Sequence, residues 1–199
     1  MRTEPTTAKG RATVARVLDA ACELFARQGI RATTLDQVGA LSRTGRGQLY
    51  LYFAGKPDLV AAVVAQQVQR VLDAQQPLLG TIATAADLRA WCDTAARQYG
   101  EHDPIRCPLG SLVHELTGRD GAARAALAEG FERWRTELAA GLRRVEQRGE
   151  LADGADPDAV ATALLAAYEG AVLLAGAAGD PARLRTVLDA VAGLALGRS

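Results

Sequence analysis

Apolar positions along this chain recur at spacings of three and four, and no stretch sustains the alternation of a strand. Val14, Val17, Leu18, Ala21, Leu24 and Phe25 form one stripe, which predicts a helix from about Arg11 to Gln28 with Gly29 as its cap and Ile30 packing behind. Residues 1–10 read as an arm: Lys9 and Arg11 are placed to reach a phosphate or the minor groove, or have no role. Leu35, Val38 and Leu41 make a second, shorter stripe behind Thr34, and Gln37 completes a capping-box pattern with that threonine. Ser42 to Gly45 break the pattern, and Leu49 and Phe53 resume it. Lys56-Pro57-Asp58 then opens a helix to about Gln76 through Leu59, Val63, Val64, Val68 and Leu72, closed by Pro77. Thr84 to Asp87 is another capping box, starting a helix to about Tyr99 that carries Leu88, Trp91 and Cys92. A loop with Asp103-Pro104 and a short helix from Cys107-Pro108 to near Gly118 follow. Asp120 is placed to cap the longest helix, about Gly121 to Arg148, with Leu127, Phe131, Trp134, Leu138, Leu142 and Val145 on one face and Gly149 at its end. Asp156-Pro157 and Asp180-Pro181 each pair an N-cap aspartate with a proline at the first helical position. The prediction is an all-α protein.

The stretch 33–56, TTLDQVGALSRTGRGQLYLYFAGK, is the one with chemistry in it. Its two short helices joined by a tight turn fit either a plain helical hairpin or a helix-turn-helix. The second helix offers Arg46, Gln48, Tyr50 and Tyr52 for packing or outside contact. Arginine matches guanine O6 and N7, and glutamine matches adenine N6 and N7. Tyrosine hydroxyls and the Lys56 ammonium suit phosphate oxygens, which position a protein without reading sequence. Gly47 keeps the start of this helix slim. Charge favours the DNA reading. The net formal charge is zero, yet residues 1–56 hold 9 Lys/Arg against 4 Asp/Glu, a balance of +5, and residues 57–199 hold 14 against 19, a balance of −5. A basic head on an acidic body lets one end alone meet a polyanion.

The segments AACELFARQGIRATTLDQVGAL and RGQLYLYFAGKPDLVAAVV, with Leu24-Phe25 and Gly29, resemble the DNA-binding domain of the TetR family of bacterial transcriptional regulators. The resemblance is strong over roughly the first 65 residues. It implies an N-terminal three-helix helix-turn-helix domain, residues 1–56 with the arm, fused to a helical-bundle ligand-binding and dimerisation domain, residues 57–199. It also implies a homodimer on palindromic double-stranded operator DNA, released by a small-molecule effector. Thr34, Arg43, Thr44, Arg46, Gly47, Gln48, Tyr50, Tyr52 and Lys56 are the expected DNA contacts. One departure stands out. Where the family usually has a small turn residue followed by an aliphatic one, this chain has Arg43-Thr44. A side chain in a left-handed turn costs about 1 kcal/mol relative to glycine, so either the turn geometry shifts or Arg43 is kept for a phosphate.

In the body, RCPLGSLVHEL, the long helix with FERW and the closing helices look like the effector domain of one TetR subgroup. Trp91, Tyr99, Cys107, His114, Phe131, Trp134 and Tyr168 are the candidate lining for an apolar or aromatic ligand, although Trp and Phe at helical spacing also serve a core. Two apolar stripes suggest the dimer interface: Leu164, Ala167, Ala171 and Leu174, then Leu184, Val187, Leu188, Val191 and Leu194. A body serving only dimerisation or a protein partner is the alternative. Nothing points to catalysis. His102 and His114 are the only histidines, neither lies in HExxH, and no GxSxG, P-loop or dinucleotide glycine pattern occurs. No cofactor or metal is implied. Cys22, Cys92 and Cys107 are odd in number and lack metal-ligand spacing; Cys107 is a redox-sensing candidate or an inert buried thiol. With no expected membrane span and no signal peptide at the N-terminus, the expected compartment is the cytoplasm.

Overall fold

The computed structural model describes residues 5–99, 105–116 and 120–197. His102, the Asp103-Pro104 loop and the expected helix end at Gly118 lie outside them. Among the described residues there are ten helices and no strand: α1 (Ala8–Ala32), α2 (Leu35–Ser42), α3 (Arg46–Tyr52), α4 (Lys56–Gln75), α5 (Leu78–Thr81), α6 (Ala85–Arg97), α7 (Pro108–Glu115), α8 (Gly121–Gln147), α9 (Pro157–Ala178) and α10 (Ala182–Ala195).

Their starts follow local chemistry. The Thr7 hydroxyl accepts from the Gly10 N–H at 3.0 Å and begins α1 ahead of the expected position, so Lys9 and Arg11 lie on a helix and not on an arm. Both capping boxes form: Thr34 with Gln37, and Thr84 with Asp87. The Asp156 carboxylate accepts from the N–H groups of Asp158 and Ala159, with Pro157 in the first turn of α9. Asp180 accepts from the Ala182 N–H at 3.1 Å, so Pro181 sits just outside α10. The one-turn α5 is too short to carry a periodic signature and was not expected.

The chain divides into two compact units. The head unit comprises the described part of Met1–Arg70 and of Ser111–Gly130. It therefore holds α1, α2, α3, most of α4, the end of α7 and the start of α8, and is not a contiguous segment ending near residue 56. Val17, Ala21, Phe25, Val38, Leu49, Phe53, Leu59 and Val64 are buried in it, and so are Leu116, Ala123 and Leu127 from the later stretch. Gly130 lies against Val68, where a Cβ would collide with the valine side chain. Gly29 interrupts α1 with φ +81°, and the Ile30 N–H freed there donates to Glu115 Oε2 at 2.6 Å.

The body unit comprises the described part of Val71–Gly110 and of Phe131–Ser199. In it α10 packs against α9 and α6. Leu88, Trp91, Trp134, Leu138, Leu142, Leu164, Tyr168, Leu184 and Leu188 are its buried centre. Arg144 on α8 donates to the carbonyls of Ile82 (2.7 Å) and Gly80 (3.0 Å), and the Glu150 carboxylate accepts from the Ala85 N–H at 2.6 Å. Those bonds tie the turn before α6 to α8. Contrary to the sequence expectation, one helix, α9, is long and apolar enough to cross a membrane by length and composition, with a mean hydropathy of 1.7. One flank of it lies in the body core, and a core helix passes the same test.

Candidate DNA-reading face and buried polar cluster

The first site is built on α2 and α3. Val38, Leu49 and Phe53 bury their side chains and fix the pair. Gly39 permits the approach: a Cβ there would meet Leu49 Cδ1 at 3.0 Å and the Thr44 carbonyl at 3.1 Å. Arg43 caps α2 in the left-handed conformation, φ 52° and ψ 41°, as the departure from the family pattern suggested. Its side chain is exposed. Arg46, Gly47, Gln48 and Tyr50 are exposed as well, on the first two turns of α3. The Arg46 guanidinium lies 5.9 Å from the Tyr50 ring centroid and 3.9 Å from Asp36 Oδ1, with both charged side chains mostly in solvent. A planar donor fork and an amide are both solvent-exposed on this short helix, and the glycine between them adds no bulk.

Four expected contacts are placed otherwise. Thr44 is 5% exposed and its hydroxyl donates to the Ser42 carbonyl, so it belongs to the turn's own packing. Tyr52 is 7% exposed, with its hydroxyl close to Gly10 of α1. Thr34 is exposed, yet its side chain is engaged in the α2 capping box. Lys56 is half-buried and its ammonium donates to the Arg31 carbonyl at 3.0 Å. Leu41, read as part of the α2 stripe, is instead exposed.

The second site lies in the body unit, where α6, α8, α9 and the residue preceding α7 meet. The Tyr99 and Tyr168 hydroxyls are 3.0 Å apart, and Gln98 donates its amide to Tyr168. The Trp134 and Tyr168 rings pack edge to face at 5.1 Å between centroids. The Cys107 thiol is hydrogen-bonded to the Glu169 carboxyl. Burial pushes Tyr99 up to about 12. Burial also raises Tyr168, and burial followed by the Glu169 charge raises Cys107. Glu169 is itself raised by burial. Two polar atoms in this neighbourhood, Trp134 Nε1 and Glu169 Oε1, are buried without a hydrogen-bond partner. Such orphans are uncommon in folded proteins.

The structure thus brings Tyr99, Cys107, Trp134 and Tyr168 together and leaves three candidates outside. Trp91 is buried and donates its indole N–H to Gln75 at 2.8 Å, as a satisfied core residue does. His114 is exposed near the end of α7. Phe131 is half-buried on α8 with no ring partner among the described residues. Cys107 is buried with its thiol held protonated, which argues against a reactive sensor. Glu169 and Gln98 escaped the sequence reading. Glu169 did leave a signal: beyond the first turn of α9 it is the only charged residue in an otherwise Ala-, Leu- and Val-rich helix.

The expected dimer stripes divide in a similar way. Leu164, Ala171, Leu184 and Leu188 are buried within the protomer. Ala167, Val187 and Val191 are half-buried. Leu174 (55% exposed) and Leu194 (75%) face outward, together with Leu173 (71%).

Residues 17–63 match the family profile described as bacterial regulatory proteins, tetR family. Residues 84–191 match the one described as tetracyclin repressor-like, C-terminal domain. The chain is similar to the transcriptional regulator AcuR of Cereibacter sphaeroides, with 31% identity over 163 residues covering 80% of this chain and 74% of that protein. It is also similar to the regulator SrpR of Pseudomonas putida, at 28% identity over 73% of this chain and 67% of the relative. Among solved structures, a TetR regulatory protein from Rhodobacter sphaeroides aligns with a TM-score of 0.75 and 26% identity over 91% of this chain and 97% of its own. The fold is shared with SmeT, described in complex with triclosan, at a TM-score of 0.75 and 24% identity over 90% of each chain. With the reading head and most of the body both matched, this chain belongs to the TetR family of bacterial transcriptional regulators.

Proposed function

We propose that this protein is a cytoplasmic repressor that binds a palindromic operator as a homodimer and leaves it when a small apolar or aromatic effector enters the body. The observation that carries this reading is the exposure of Arg46, Gln48 and Tyr50 on the second helix of a capped two-helix unit. In a helix-turn-helix the N-terminal residues of the second helix meet base edges. Arg46 and Gln48 then read sequence, while Arg43, Tyr50 and the half-buried Lys56 hold phosphates. The homodimer is supported by the outward leucines of α9 and α10, which a monomer would leave in water. Two copies paired across a two-fold axis form a four-helix bundle, and the operator's palindrome mirrors that axis.

Release is a matter of differential affinity. An effector shifts the equilibrium only if it binds the DNA-incompetent dimer more tightly, and a full reversal from 1:99 to 99:1 needs about 5.5 kcal/mol. Operator DNA must then weaken effector binding by the same factor. The test begins with selection from a random duplex pool. The expected product is a palindrome with half-sites about one helical turn, roughly 34–36 Å, apart. Titration of an apolar and aromatic compound library against the selected operator follows. A non-palindromic product, or a dimer that no compound displaces, would sink the reading.

A further inference from the structure

The effector's chemistry is open in the reading above, and the buried cluster narrows it. Glu169 has its Oε2 over Gly110, so close that a Cβ there would collide with it, and its carboxyl accepts from the Cys107 thiol. Its other oxygen is buried and unpartnered, and among the described residues no Lys or Arg forms an ion pair with it. Two other half-buried carboxylates of the body do have cations: Asp158 meets both Arg135 and Arg143, and Asp93 meets Arg185 at 2.7 Å. Half-buried and without a cation, the Glu169 carboxyl is pushed toward its neutral form, and an arriving cation favours the charged one. Tyr99 and Tyr168 lie within electrostatic reach of it and the Trp134 ring packs on Tyr168, and aromatic rings attract a cation and not an anion. The segments of the body unit, residues 71–110 and 131–199, hold 11 Lys/Arg against 15 Asp/Glu, a balance of −4 that favours cations.

We propose that the effector is a small aryl or lipophilic organic cation, an amine or amidine, whose nitrogen pairs with Glu169 while its apolar part lies against Trp134 and Tyr168. The proposal rests on the ligand-responsive reading. A neutral donor would fill the Glu169 lone pair but leave the charge uncompensated. An anionic ligand would require a shared proton.

The experiment uses three probes with one body: 4-phenylbutylamine, 4-phenylbutanol and 4-phenylbutyrate. Each is titrated calorimetrically into the full-length protein without DNA. The wild type is expected to bind the amine at least about tenfold more tightly than the alcohol, and the acid most weakly, as a charge-assisted bond to a buried carboxylate requires. Glu169→Gln is expected to remove the amine's advantage while keeping the alcohol's affinity within about threefold. Equal binding of amine and alcohol, tightest binding of the acid, no binding of any probe, or an amine preference that survives Glu169→Gln would each overturn the proposal. Should Glu169→Gln not fold, the wild-type ranking of the three probes decides alone. Operator release separates the two levels of inference. Release by the acid or by a neutral compound, and not by the amine, leaves the sensor reading standing and removes the cation. A selected operator that every library compound leaves bound removes the sensor reading itself.

Discussion

Arg43 holds a backbone conformation that most side chains avoid, and nothing in the head's packing calls for a guanidinium there. Arg43→Gly should therefore stabilise the head by up to about 1 kcal/mol. If the charge is retained for a phosphate, the same change lowers operator affinity on all sequences and reduces the salt slope by roughly one unit. Chemical denaturation and operator titrations at several salt concentrations measure the two effects. An unchanged salt slope would make Arg43 a turn residue and no more. Gln48→Ala is expected to act differently, relaxing the selected motif at one position by about 1–3 kcal/mol of discrimination. A motif identical to that of the wild type would move base reading to Arg46. The thiols give a third residue-level expectation. Burial pushes Cys92 up to about 12 and raises Cys107 too, so neither should react with a disulfide reagent at pH 8 in the folded protein. Rapid modification of Cys107 would revive it as a redox sensor. Much at this scale was legible because it is local: the Arg43 turn and the Thr34–Gln37 cap involve neighbours in the chain. Tyr52 was not, because a seven-residue helix has too few apolar positions to say which of its faces is covered, and Thr44 lies in the turn, where no period applies.

Helices were read correctly where a cap or a glycine marks the end, and poorly where the pattern is apolar all round. α9 shows why. Its alanines, leucines and valines circle the axis, so spacing picks out two stripes without saying which one the protomer covers. Only the fold separates Leu164 and Ala171, which are inside, from Leu173 and Leu174, which are not. That distinction changes the test of dimerisation. Leu174→Arg or Leu194→Arg should give a monomer that keeps its helical content, as read by light scattering and circular dichroism. Leu188→Arg would bury an unpaired charge, at a cost of several kcal/mol, and report on the core instead. A dimer mass retained in both surface variants would exclude this face as the interface. The α1 break is another element-level feature. Gly29 takes φ +81°, and a Cβ there would also lie 3.2 Å from Glu115 Oε2. Glu115 lies 85 positions beyond the amide it accepts from, which no local pattern reveals. Glu115→Ala should destabilise the head by about 1 kcal/mol, the net worth of one such bond. Gly29→Ala should cost at least as much from backbone strain. A melting temperature unmoved by Glu115→Ala would mean that water replaces the carboxylate without loss.

The whole molecule is not a head followed by a body in chain order. Ser111–Gly130, from the middle of the sequence, belongs with the first seventy residues. Leu116, Ala123 and Leu127 are buried in that unit, and Gly130 admits Val68. Charge and family resemblance marked where the reading helices are, but neither could show this interleaving, since it depends on contacts between distant segments. A fragment ending at residue 76 would leave the partners of Leu116 and Leu127 bare, and should show poorly dispersed amide resonances and no cooperative melt. A sharp, fully folded spectrum from that fragment would show the later segment to be dispensable. The arrangement also bears on how such proteins can be recombined. A gene spliced once, downstream of α4, would couple this head to a foreign sensor that brings its own version of residues 111–130. The graft therefore succeeds only when the donor's collar fits the recipient's α1 and α4, or when a second crossover carries the native collar along. Exchange of the body between such proteins is then constrained by twenty residues that pack with the head.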